Sequence, residues 1–198
     1  MSISLLIDTL PEAIIVDGDE YEIDTDFTTF VLLEQLISDR EISDKMRMNE
    51  MWRLLFPFDV VPPLTEDTIK QIEWFYRCGK VESERRKIEI AKITNSTKKL
   101  HDQIYDFEFD DQYIFAAFMS CYGIDLTECS MHWWKFKALF NSLDSDCEFV
   151  KIMGYRSADL GKIKDKEEKS RIRRLQAIYA IPSKLTAEEK AARIGSMF

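Results

Sequence analysis

Asp111-Gln112-Tyr113-Ile114-Phe115-Ala116-Ala117-Phe118-Met119-Ser120-Cys121-Tyr122-Gly123 is apolar on nearly every side of a helical wheel. A run this long with no strand-like alternation reads as a helix, and a helix apolar all round belongs at the centre of a core. Asp110 and Asp111 offer oxygens to cap its start, where the ordinary reading of the pair is capping on a solvated face; Gly123 stops its end. Working outward, the fold class is mainly α: a compact multi-helix domain with a small N-terminal β-hairpin. Six glycines and five prolines in 198 residues are too few for a turn-rich sandwich.

The hairpin is read from Ala13-Ile14-Ile15-Val16 and Tyr21-Glu22-Ile23 around Asp17-Gly18-Asp19. A lone hairpin is marginal in water, so it is expected to pack on the helices; the alternative is pairing with a neighbour's sheet. Asp24-Thr25-Asp26 offers caps for a helix to Asp39 carrying Phe27, Phe30, Val31, Leu33, Leu36 and Ile37. A second helix spans about Ser43 to Phe56, and Phe56-Pro57-Phe58-Asp59-Val60-Val61-Pro62-Pro63 then forms a rigid apolar connector. Thr65-Glu66-Asp67 opens a third helix to Cys78, with Gly79 as its C′ residue. Tyr105-Asp106-Phe107-Glu108-Phe109 reads as a short strand or a docking segment. Beyond Gly123, helices are expected over about Cys129–Leu143, with Asp125 and Thr127 as capping candidates, then a short one ending near Gly154, and a charged one over about Asp165–Ala180. The expected organisation is residues 1–24 as the hairpin packed on the helices, 25–79 as a first helical half, 80–104 as a charged helix or linker, 105–182 as a second half, and 183–198 as a tail.

The net charge of −9 is unevenly laid out: residues 1–150 hold 30 acidic and 15 basic side chains (−15), and 151–198 hold 6 and 12 (+6). An acidic body with a basic C-terminal segment suits anionic protein partners or self-association, one copy's basic segment on another's acidic body. Nucleic acid is the weaker reading, because Asp165, Glu167 and Glu168 interrupt the basic run and no stacking aromatics interleave with it. Met1–Leu10 has no basic n-region and no apolar run reaches the roughly 18 residues of a membrane span, so no membrane partner is expected and the cytosol is the expected location. Cys78, Cys121, Cys129 and Cys147 form no CxxC pair and are expected to be buried free thiols.

No reaction chemistry is legible. His101 and His132 stand in no nucleophile motif, and the former reads as solvated and the latter as a packing or hydrogen-bonding residue. A zinc site from Cys121, Cys129 and His132 lacks paired ligands and a fourth donor. No glycine-rich phosphate loop exists, so no cofactor is indicated, and the residues point to no enzyme. Aromatic density on helices stands out instead. The first reading of these aromatics is a well-filled core; Trp133 and Trp134 are adjacent, hence about 100° apart on a helix, and the alternative is that one of them faces solvent as an interface anchor.

Tyr122-Gly123-Ile124-Asp125-Leu126, then His132-Trp133-Trp134-Lys135-Phe136, then Gly154-Tyr155-Arg156, then Lys162-Ile163-Lys164-Asp165-Lys166 occur in one order that resembles the bacteriophage gene-product-fifteen family. The likeness extends more faintly along the rest of the chain. It implies a mostly helical protein of long-tailed phages of Gram-positive bacteria, acting in the host bacterial cytoplasm as a non-enzymatic tail assembly chaperone. Its implied partners are the tape-measure protein and the major tail-tube protein; the alternative is a structural virion component of the tail or connector, and less favoured is an anti-host or nucleic-acid-binding protein. The expected interaction surface comprises Trp133, Trp134, Lys135, Lys137, Tyr155, Arg156, Lys162, Lys164, Arg171 and Arg174.

Overall fold

The structure, a computed structural model, describes residues 3–39, 41–80 and 104–182. The charged stretch 81–103 with His101, and the tail 183–198, lie outside the described residues. Two strands and seven helices are present among the described residues: β1 (Ala13–Val16), β2 (Asp19–Glu22), α1 (Phe27–Ser38), α2 (Asp44–Leu55), α3 (Glu66–Tyr76), α4 (Asp111–Tyr122), α5 (Trp133–Phe140), α6 (Glu148–Ser157) and α7 (Lys166–Ile178). The chain is mainly α with a small antiparallel hairpin, as its sequence predicts.

Local chemistry starts most of these elements where the sequence places them. Asp17 and Gly18 both take positive φ, 52° and 94°, which is the turn a two-residue hairpin needs, and Val16 pairs with Asp19 across it. Asp26 Oδ1 accepts the Thr28 N–H at the start of α1, Ser43 Oγ that of Met46 in α2, Thr65 Oγ1 that of Thr68 in α3, and Asp165 Oδ1 that of Glu168 in α7. Gly123 ends α4 at φ 67°, with its N–H on the Met119 carbonyl.

Two compact units divide the chain. The first comprises Met1–Leu33, Glu50–His101 and Glu128–Ser142. In it β1 lies against α3, burying Ile14 and Val16 while Ile15 on the other face of the strand is exposed. Its centre is aromatic, with Phe27, Phe30, Phe75, Trp133, Trp134 and Phe136 all buried. The second unit comprises Glu34–Asn49, Asp102–Thr127 and Leu143–Phe198. There α6 packs on α4 and on α7, with Ile114, Phe118, Phe149, Ile152 and Ile172 buried.

Several expectations are corrected. Helix α4 is not a fully enclosed central rod: Ile114, Ala117 and Phe118 are buried, whereas Tyr113 and Met119 are exposed. Residues 105–109 form no strand, and 107–109 are a turn, because the Asp106 carboxylate accepts the N–H groups of Glu108 and Phe109 and curls the backbone away from strand geometry. Helix α3 ends at Tyr76, since Cys78 as well as Gly79 takes the left-handed conformation. Helix α5 starts at Trp133, not Cys129, because residues 25–27 and 131–133 pair as an antiparallel bridge, Trp133 N–H to Thr25 O at 2.7 Å and Phe27 N–H to Met131 O at 2.8 Å. Gly154 does not stop α6, which continues to Ser157.

Candidate functional site

The Trp-rich helix is positioned from below by its cap. His132 Nδ1 accepts the Trp134 N–H at 3.0 Å, and the other ring nitrogen, Nε2, meets the Pro11 carbonyl at 3.0 Å. An accepting Nδ1 leaves the proton on Nε2, so the ring is neutral and donates to Pro11. Burial is the main force lowering its pKa below 6.5, the Lys135 charge adds to that, and Pro11 and Glu12 oppose it. The bridge beside it is tied by Asp26, whose Oδ2 accepts from Ser130 Oγ and the Met131 N–H. Burial acts to raise the Asp26 pKa, but the hydrogen bonds from Thr28, Ser130 and Met131 outweigh it and hold the carboxyl below its ordinary value.

Both tryptophans are interior, as the filled-core reading has it, and neither is a solvent-facing anchor: Trp133 is 0% and Trp134 2% exposed. Two different walls account for it. Trp133 stacks on Phe30 at 5.0 Å and Tyr76 at 5.8 Å, while Trp134 meets Trp74 edge-on at 5.6 Å and Phe75 at 5.6 Å. Each indole N–H donates to a carbonyl at the end of α3, Trp133 to Tyr76 O at 2.9 Å and Trp134 to Phe75 O at 2.8 Å. The Phe75 carbonyl also accepts the Cys78 N–H at 2.9 Å, so its indole bond is a second one at the closing turn of the helix. Gly79 lets the indole close over that end, because a Cβ there would stand 2.8 Å from Trp134 Cη2. On the outer side of α5, Lys135 is exposed and Lys137 places Nζ 5.0 Å from the Trp133 ring centre.

Arg156 is also an interior residue, not part of a recognition surface. Its guanidinium grips Asp110 bidentately, Nη1 to Oδ2 at 2.6 Å and Nη2 to Oδ1 at 2.8 Å, with side-chain exposures of 6% and 0%. Nε donates to the Tyr179 carbonyl at 2.6 Å and Nη1 also to the Ile104 carbonyl at 3.0 Å. Asp110 therefore stands at the N-cap position of α4 without capping it through its side chain, and it is neither solvated nor free: it accepts Arg156 and the Asp106 N–H. Tyr155 stacks on Tyr179 at 6.1 Å within the same unit.

The remaining predicted residues lie on the surface of the second unit. Lys162, Lys164, Arg171 and Arg174 are exposed on and just before α7, which buries Ile172 and turns its charged faces outward. Arg171 forks onto Glu168, Nε to Oε2 at 2.8 Å and Nη2 to Oε1 at 2.7 Å, which raises its pKa. Trp133, Trp134, Lys135 and Lys137 belong to the first unit, and Tyr155, Arg156, Lys162, Lys164, Arg171 and Arg174 to the second.

One surface escapes the sequence-based expectations. Between α2 and α3 the connector exposes Val60, Val61 and Leu64, and its backbone is pinned: the Trp52 indole donates to the Pro62 carbonyl at 3.3 Å and Thr68 Oγ1 to the Pro63 carbonyl at 2.6 Å. An apolar segment among prolines was legible as rigid; that it faces outward depends on which side Trp52 and Thr68 hold it. None of the four cysteines forms a disulfide, and all are half-buried, which corrects the expectation of fully buried thiols. No group of three His, Cys, Asp or Glu side chains among the described residues is placed to hold a metal ion. No helix of the described residues is long and apolar enough to cross a membrane.

A family model described as Bacteriophage Gp15 protein matches residues 6–181. No curated protein and no solved structure matches significantly.

Proposed function

The chain belongs to the Bacteriophage Gp15 protein family, and from that premise we propose that it is a non-enzymatic tail assembly chaperone, acting in the host bacterial cytoplasm, that binds the tape-measure protein and helps recruit tail-tube subunits. Family membership across residues 6–181 carries the reading. Two surfaces supply means. The pinned loop with Val60, Val61 and Leu64 offers apolar side chains on a backbone that loses little freedom when a helical client covers them. The outward-facing Lys162, Lys164 and Arg174 supply long-range attraction for an acidic protein partner, which includes the acidic part of another copy. Neither surface uses the tryptophans or Arg156, which serve the interior.

Co-expression with the tape-measure protein of the same phage, followed by affinity capture through a tag on this chain, tests the proposal. Co-purification of the two is expected, together with absence of this chain from purified virions. No co-purification overturns the reading, and stoichiometric presence in virions replaces it with that of a structural tail component. Capture of DNA that survives moderate salt would instead favour nucleic-acid binding.

A further inference from the structure

Residues 8–26 hold eight acidic side chains and no basic one, whereas residues 162–174 hold seven basic and three acidic. The fold displays each set beside an exposed apolar side chain. In the hairpin Ile14 and Val16 turn inward, so Ile15 faces out and is 61% exposed. The strand register sets Glu20 directly across from Ile15 and Glu22 across from Ala13, which puts both exposed carboxylates on the face of Ile15. On α7, which buries Ile172, Arg173 and Arg174 are exposed, and Ile178, 69% exposed, stands one turn beyond Arg174. Among the described residues no ion pair engages Glu20, Glu22, Arg173 or Arg174. Both supports are held in place. The Asp17 N–H donates to Asp67 Oδ2 on α3 at 3.3 Å and the Asp24 N–H to the Leu55 carbonyl at 2.8 Å, while Gln176 Nε2 ties α7 to the carbonyls of Tyr155 and Ala158 at 3.0 and 2.9 Å.

We propose that the outer face of the hairpin docks on α7 of a second copy of this chain, Glu20 and Glu22 meeting Arg173 and Arg174 while Ile15 and Ile178 cover one another. Charge complementarity selects the occupant, because the chain itself supplies, at its own concentration, a face of opposite sign with an apolar side chain beside it. Like charges crowded on either face repel one another when it stands alone, and the contact relieves both faces together. The charges speed encounter and fix orientation, the isoleucines supply the apolar centre, and the tied backbones lose little freedom on docking. Two different surfaces meet, so each copy gives its hairpin to one neighbour and its helix to another, the head-to-tail kind of contact that closes into a ring or continues as a filament. The contact shares α7 with the chaperone reading, naming a second copy as its acidic partner, and it needs no tape-measure protein.

The test uses the full chain alone, followed by sedimentation velocity over a range of protein concentrations at roughly 0.05 M and roughly 0.5 M salt. Association that grows with concentration is expected at the lower salt, weakened about tenfold or more at the higher. Glu20→Lys with Glu22→Lys, and separately Arg173→Glu with Arg174→Glu, should each give a monomer at low salt, since each variant then carries two faces of one sign. Mixed, the two variants should form a one-to-one dimer, the unaltered helix of the first on the unaltered hairpin of the second, which also shows that both are folded. The salt comparison on the wild-type chain stands without them if either folds poorly. A wild-type monomer at both salts, association that salt and charge reversal leave unchanged, or folded variants that stay monomeric when mixed would overturn the proposal. Because no tape-measure protein enters the measurement, each of those results removes self-association and leaves the chaperone reading to its own test.

Discussion

Arg156 ties together three separate stretches of the second unit. It satisfies a buried carboxylate on α4 and two backbone carbonyls, at Ile104 and Tyr179, from one guanidinium. Truncation to alanine strands Asp110 as a buried charge, so Arg156→Ala is expected to cost about 3–5 kcal/mol in urea unfolding. Lysine keeps the charge but not the planar fork, and Arg156→Lys should recover only a minor part of the loss. Recovery close to wild type would show that charge alone is needed. Gly79 holds a comparable place in the first unit. Its φ is 68°, and an alanine methyl there would stand 2.8 Å from Trp134 Cη2. Gly79→Ala should therefore destabilise by more than the roughly 1–2 kcal/mol that a left-handed backbone alone costs a residue with a Cβ. The Trp134 indole has no room to retreat, since Phe75 and Trp74 back it.

At the scale of elements, the clearest dependence on solution conditions lies at the start of α5. The fold keeps His132 neutral with its pKa lowered, so between the folded and unfolded values the unfolded chain binds the extra proton. The His132 contribution is therefore complete above about 6.5 and is lost as pH falls from there through the lowered folded value. Asparagine retains an acceptor for the Trp134 N–H without titrating in this range. His132→Asn should remain folded, lose roughly 1 kcal/mol or less at neutral pH, and show a flatter decline in urea midpoint between about pH 7.5 and about pH 5.5 than wild type. An identical decline in both proteins would remove His132 as its source.

Legibility in the sequence divides at the same scale. Hairpin, α1, α3 and α7 were readable because an Asp-Gly turn, Asp26, Thr65 and Asp165 act on backbone a few residues away. The start of α5 was not, because it depends on pairing between residues 25–27 and 131–133, far apart in the chain. Asp110 looked like a helix cap for the same reason: nothing near it in sequence announces Arg156, 46 residues on. The exposed connector loop, too, depends on Trp52 and Thr68 reaching its carbonyls from the flanking helices.

Across the whole molecule, motif residues that build the interior are distinct from the surfaces left to recognise something. The His-Trp-Trp-Lys-Phe run is mostly interior: His132 caps, Trp133, Trp134 and Phe136 fill the core, and Lys135 alone of the five is exposed. On the proposed function, recognition falls to the basic helix and the pinned apolar loop, and the two should respond differently to salt. Lys162→Glu combined with Lys164→Glu and Arg174→Glu should weaken partner capture several-fold at low salt, with the difference shrinking as ionic strength passes about 0.15 M. Val60→Ser with Val61→Ser should weaken capture at every salt concentration, without unfolding the protein, because both side chains are already in water. The measurement that bears most directly on the chaperone reading is the fraction of tape-measure protein that remains in the supernatant when it is made with and without this chain. A several-fold gain that the Val60→Ser/Val61→Ser variant loses is expected; equal recovery with and without the chain would contradict the chaperone reading.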